Sequence, residues 1–248
     1  MKLARTLERD GFCVLPNLFQ DREIAEMRKD VIANSKRMAK TRSQPGSFHL
    51  AGFHRYPSLS CLHARIAANK DINSYLRGFY EADDYYTIGL SDITVNRSQE
   101  WHTDLLRGEF AHLLNSVDPW ADEIDVCIKA LVYLQSGRSL RILPGSHRQR
   151  TPLNDDEVAL LPELRNSETI ELDSGDVVLM DIRTVHRGPT DEEMSSPELA
   201  QIPKILISTV FGRINAPFAI AMQAGNLFRS ISWEKRWLKV RPAIKALA

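Results

Sequence analysis

The chain has 248 residues, 32 basic and 32 acidic side chains and 43% hydrophobic residues. That length buries a core without disulfides or a structural metal, and 26% charged with 8% aromatic residues excludes a disordered chain. Zero formal charge removes the electrostatic case for nucleic acid or an anionic membrane surface as partner. The longest apolar runs, Ala130–Leu134 and Phe218–Met222, have five residues, whereas a membrane span needs about 20. The opening Met-Lys-Leu-Ala-Arg-Thr-Leu carries no signal or transit character. Cys13, Cys61 and Cys127 are odd in number and lack CxxC spacing, so buried reduced thiols and a cytoplasmic location are expected.

In chain order, Leu3, Ala4 and Leu7 share a helical face and Gly11 is a helix stop. Phe12–Leu15 reads as a short strand, and Asp21 as the cap of a helix carrying Ile24, Met27, Val31 and Ile32. From Lys40 to Pro57 the text is irregular and polar, with a turn at Pro45-Gly46, which predicts a long loop. Strands are expected at Asp92–Asn96, Trp101–Leu105, Asp125–Leu134, Leu140–Leu143, Thr169–Leu172, Val177–Asp181 and Lys204–Phe211, separated by turns such as Pro144-Gly145-Ser146 and Asp173-Ser174-Gly175-Asp176. A short helix near Asp156–Leu164 and a last one near Leu227–Leu238 complete the pattern. Helices first and strands after predict an α+β chain with a mainly β core, a sandwich or barrel. No repeat or linker divides it, so one domain over residues 1–248 is expected, with lid or insert loops at 40–65 and 187–203.

Trp101-His102-Thr103-Asp104 is the chemical centre of the sequence. In an extended chain, residues i and i+2 point to one face, so His102 and Asp104 offer a nitrogen and an oxygen to one point. A third ligand from a distant strand completes a facial set, which leaves half of an octahedral ion open, as in non-haem Fe(II) oxygenases. His186, at the end of the apolar stretch Val177–Val185, is the natural candidate. His49, His54, His63, His112 and His147 lie in irregular or turn segments.

Four motifs in order carry a family resemblance: Leu7–Pro16 with the helix after it, Trp101–Asp104, Leu140–His147, and Gly175-Asp176 leading to His186. Together they resemble the phytanoyl-CoA dioxygenase (PhyH-like) family, over roughly residues 3 to 213. The resemblance implies a double-stranded β-helix (jelly roll, cupin-like) braced by N- and C-terminal helices. It implies Fe(II), 2-oxoglutarate and O2 as cofactor and co-substrates, with His102, Asp104 and His186 as catalytic iron ligands. It further implies oxidation of a C–H bond of a small metabolite with release of succinate and CO2, by hydroxylation, or by desaturation or ring closure with altered substrate placement. Halogenases of the family lack the carboxylate; Asp104 is present, which points to oxygen chemistry.

The 2-oxoglutarate distal carboxylate needs a cation. Lys204 stands nearest the family's arginine slot but 18 residues after His186, so an insertion at Pro189–Pro203 is required. Lys129, inside an apolar strand, is an equal candidate, and Arg183 ranks third because odd spacing from His186 points it away. Asn96 and Arg97 are candidates for the pocket wall. Arg42, His49, His54 and Arg55 form a cationic stretch able to read an anionic substrate. Gly145-Ser146-His147 reads as a structural turn, and Trp233 and Trp237 as core or dimer contacts. The expected partner is a small-molecule substrate, with no nucleic acid or membrane and the oligomeric state open, a homodimer included. Two other classes fit the ligands alone: a non-catalytic metal- or ligand-binding jelly-roll sensor, and a zinc hydrolase or isomerase.

Overall fold

The computed structural model describes residues 6–40, 46–81, 83–121, 125–150, 165–195 and 202–240. Leu3, Ala4, Arg42 and the Asp156–Leu164 helix lie outside them, as does the side chain of Trp237.

Alternation of apolar residues builds the centre. Strands β1 (Phe12–Leu15), β2 (Ala39–Lys40), β3 (Phe48–Ala51), β4 (Tyr85–Thr87), β5 (Asp92–Val95), β6 (Ile128–Tyr133), β9 (Val177–Asp181) and β11 (Ile205–Arg213) form an eight-stranded sheet. Its order is β1-β9-β6-β11-β5-β3-β2, with β4 also on β11, and every pairing is antiparallel. A second sheet has the order β10-β7-β8, from β7 (Gly137–Ile142), β8 (Glu168–Leu172) and β10 (His186–Arg187). Two antiparallel sheets with crossed strand order are the expected jelly roll.

Each central strand buries both faces, against different partners. Ile128, Ala130 and Val132 of β6, Val177 and Leu179 of β9, and Ile205, Ile207 and Phe211 of β11 share a cluster with helices α1 (Leu7–Asp10), α2 (Asp21–Ala33), α3 (Ser60–Ala67) and α4 (Lys70–Tyr80). The alternate residues Leu131, Tyr133, Val178 and Met180 join Leu140, Ile142, Ile170 and Leu172 of the small sheet inside the roll. The period of two therefore sends Lys129 and Lys204 to the interior. The last helix, α5 (Pro217–Val240), covers one end of the roll, where Phe218, Ala219 and Met222 meet Ile88, Leu106 and Val210.

Several local expectations change. Glu23 accepts the Gln20 N–H at 3.0 Å, so Gln20, not Asp21, caps α2. Residues 46–65, expected within a loop, hold β3, two 3-10 turns and the start of α3; Leu50 buries on the helix side and ties the segment into the large sheet. Trp101–Leu105 is not a strand but makes one bridge, between His102 and His186. The terminal helix starts ten residues earlier than expected, at Pro217.

Gly175 shows how tightly the turn before β9 is built. Its φ is +92°, and an added Cβ would stand 2.2 Å from the Phe19 carbonyl oxygen. Gly175→Ala is expected to cost about 2–3 kcal/mol, from left-handed strain plus the clash with rigid backbone. Urea unfolding measures this.

Candidate metal centre and its cavity

His102 and His186 are joined by two backbone hydrogen bonds of 2.9 Å, and Asp104 N–H donates to Ile182 O at 2.8 Å. These three bonds hold the 101–105 segment extended beside 182–186, so the i, i+2 geometry survives without a full strand. Ser146 Oγ accepts the Val185 N–H at 2.9 Å and donates to Leu143 O at 2.7 Å, which sets the segment before His186 against the turn after β7. Gly145-Ser146 is thus a structural clasp.

One ligand atom from each of His102, Asp104 and His186 lies within 4.8 Å of the others. The imidazole centroids are 4.2 Å apart. His102 Nε2 is 3.8 Å from Asp104 Oδ1, and His186 Nε2 is 3.6 Å from Asp104 Oδ2. Each Nδ1–H donates to a backbone carbonyl, His102 to Glu100 O at 2.7 Å and His186 to Thr184 O at 2.9 Å. That fixes the tautomer with the Nε2 lone pairs turned inward, the arrangement a divalent ion requires. Burial lowers the pKa of both imidazoles, keeping them neutral. Burial pushes the Asp104 carboxyl up, but Lys129, with its Nζ 2.8 Å from Oδ2, together with the imidazoles of His186 and His102, outweighs it and holds the group well below the usual range. Two neutral nitrogens and one anionic oxygen fit Fe(II).

In front lies a cavity of about 790 Å³ whose wall includes His102, Asp104, Lys129, Arg97, His49 and Arg229. A smaller pocket reaches further into the roll past Lys129, His186, Tyr133, Thr94, Leu206 and Lys204. Lys204 is 9% exposed, its Nζ is 5.8 Å from the Tyr133 ring centroid, and it makes no ion pair with a described residue. Burial pulls its pKa from 10.5 down to about 7, against a smaller opposing pull from Glu193.

The other predicted residues fall elsewhere. Arg183 is held by Asp181, Nη2 to Oδ2 at 2.6 Å, and by Pro119 O at 2.9 Å, and it lines neither cavity, so the structure does not bring it to the metal-ligand cluster. Arg183→Met is expected to cost about 3–5 kcal/mol of stability by stranding the buried Asp181, while leaving KM for 2-oxoglutarate unchanged. Asn96 does not line the cavity; with φ +45° it accepts the Lys204 N–H at 2.7 Å, and thereby positions that lysine's backbone. His54 lies against His63, ring centroids 5.5 Å apart, and is not on the cavity wall. Arg97 does line it, and of the cationic stretch His49 lines it, while Arg55 meets Glu234 at 3.4 Å. Sequence reading missed Gln99, whose Nε2 lies 2.6 Å from His102 Nε2, and the Asp92–Arg229 pair at 2.9 Å. Only the adjacency of Gln99 to the HxD motif hinted at the first; nothing local signals the second.

Comparison with known proteins places the fold and the family. No curated protein matches. Similar solved structures include HygX from Streptomyces hygroscopicus with nickel, 2-oxoglutarate and hygromycin B bound (TM-score 0.61, 16% identity, covering 84% of this chain and 85% of that one). The 2-oxoglutarate-dependent epimerase SnoN from nogalamycin biosynthesis is similar at TM-score 0.59 and 18% identity, covering 84% and 79%. EvdO2 from Micromonospora carbonacea var. aurantiaca, complexed with 2-oxoglutarate, is similar at TM-score 0.53 and 17% identity, covering 86% and 94%. These likenesses bear on the fold. Residues 7–191 match the phytanoyl-CoA dioxygenase (PhyH) family model. The chain belongs to the phytanoyl-CoA dioxygenase family and is a 2-oxoglutarate-dependent non-haem iron enzyme.

Proposed function

We propose that His102, Asp104 and His186 hold Fe(II), that Lys204 anchors the distal carboxylate of 2-oxoglutarate, and that the enzyme hydroxylates a C–H bond of a small molecule in the larger cavity. The carrying observation is the pair of inward Nε2 atoms within 4 Å of one carboxylate, each fixed by its own Nδ1–H bond to a carbonyl. When bound, iron, 2-oxoglutarate and O2 together supply the oxidising power, and succinate and CO2 leave. The chain's part is to hold and shield them. Lys129 keeps Asp104 ionised and aimed. The buried walls of the inner pocket exclude water around Lys204.

Lys204 is preferred to Lys129 because Asp104 already engages the Lys129 ammonium, whereas Lys204 meets an aromatic face and an inner pocket. A non-catalytic sensor has no need of such a cation in a pocket adjoining the metal ligands. Because the similar structures include an epimerase, product mass is informative: hydroxylation adds one oxygen atom and epimerisation adds none. The test is Fe(II)- and O2-dependent succinate formation from 2-oxoglutarate, followed by product mass. No succinate under iron-replete conditions would contradict the proposal.

A further inference from the structure

Helix α5 turns a polar patch toward the larger cavity. Asn226 lines that cavity and is 1% exposed, yet neither Nδ2 nor Oδ1 of its carboxamide has a hydrogen-bond partner. Nearly one turn further, Arg229 donates through Nη1 and Nη2 to Asp92 at 3.1 and 2.9 Å, while its Nε is buried without a partner. His49 Nε2 lies 3.2 Å from the same carboxylate. An amide buried without partners destabilises the ligand-free protein. A bound molecule that satisfies both of its ends removes that cost.

The charge balance says what kind of molecule. Asp92 neutralises Arg229, and Glu109 meets Arg236 at 2.8 Å, so the α5 side of the cavity offers hydrogen bonds more than net charge, while Arg97 and Arg107 line it from other segments. A carboxamide presents one donor and one acceptor side by side. An acyl chain satisfies neither.

We propose that Asn226, with Arg229 three residues on along the same helix, is a substrate-recognition subsite for a neutral group that both donates and accepts hydrogen bonds, a hydroxyl pair or a carboxamide. The substrate is then a polar hydroxylated or amide-bearing molecule, not a long acyl chain. This rests on reading the cavity as the substrate cavity of the ferrous centre.

The test uses the full chain loaded anaerobically with Fe(II) and 2-oxoglutarate. Binding of myo-inositol, methyl glucoside and nicotinamide is compared with that of palmitate and palmitoyl-CoA by saturation-transfer NMR. At least one neutral probe is expected to bind, and Asn226→Leu and Asn226→Ala each to weaken it tenfold or more; the glycoside, polyol and amide arms tell the two sources of this chemistry apart. Asn226→Leu is also expected to raise the Tm of the ligand-free protein by about 3 °C, because the unpaired amide is gone. Binding of none of the neutral probes, equal binding to wild type and both variants, or tighter binding of the acyl probes overturns the proposal. Fe(II) and 2-oxoglutarate binding to wild-type protein are measured in the same preparation, so a failure of the ferrous reading shows there and not in the probe comparison.

Discussion

Replacing Asp104 with alanine will abolish 2-oxoglutarate turnover and, separately, lower the stability of the fold by about 3–5 kcal/mol. The two losses have different origins. Turnover goes because the only carboxylate of the three-residue centre goes. Stability goes because Lys129 Nζ, 2.8 Å from Asp104 in the intact protein and 11% exposed as a side chain, is left without its counter-charge in an apolar strand. A second substitution separates them. In the double variant Asp104→Ala with Lys129→Met, both charges are gone, and much of the stability should return while activity stays at background. Lys129→Met alone should keep the three ligands but weaken iron binding about 10–100-fold, because Asp104 loses the group that orients it. Urea unfolding and succinate release read the two effects. Full turnover in Asp104→Ala would remove the carboxylate from the centre.

The second large effect belongs to Lys204. Lys204→Met should raise KM for 2-oxoglutarate about a hundredfold, the usual size of loss when a buried charge pair loses one partner. The pH dependence is more specific. In the free protein burial lowers this lysine to about 7 from 10.5, and an incoming carboxylate needs the charged form. Affinity for 2-oxoglutarate should therefore be full below pH 7 and fall as pH rises through it, with proton uptake on binding. Lys204→Arg, which stays charged, should flatten that fall even if its KM is poorer. Stability of the free protein runs the opposite way. Below pH 7 the lysine is charged in folded and unfolded chains alike, and its burial opposes folding in full. Between about 7 and 10.5 the unfolded chain holds more protons, so this penalty fades as pH rises. Isothermal titration across pH 6 to 9 in two buffers of different ionisation enthalpy checks the affinity and the proton uptake (pH range ~3 units around the shifted group), and urea unfolding over the same range checks the stability. A flat profile in wild type would take the anchor away from Lys204.

The sequence made the centre readable because its chemistry is compact. His102 and Asp104 stand two apart, and that spacing works in any extended stretch, so it survived the error of assigning a strand at Trp101–Leu105 where only one bridge exists. Lys129 was legible from its place in an apolar strand and Lys204 from its place near the family's arginine slot; the sequence supplied no more than that. Neither ground ranks them, since what distinguishes them is the contact between Lys129 and Asp104, a tertiary fact across 25 residues. Arg183, at odd spacing from His186, is paired with Asp181, two residues back. Phe48–Ala51 was illegible as a strand because four residues carry too little pattern, and its polar member His49 is buried against Asp92 of β5. Asn226 and Arg229 sit in a helix whose sequence looks like ordinary packing; only the folded chain brings them to the cavity.

A ferrous ion held by three side chains and joined by 2-oxoglutarate is the centre on which the proposed reaction depends. Anaerobic titration of wild-type protein with Fe(II), then with 2-oxoglutarate, tests it most directly. The expected result is one iron per chain, a visible charge-transfer absorption on adding 2-oxoglutarate, and neither in His186→Ala. Iron binding and the same absorption at full strength in His186→Ala would contradict it.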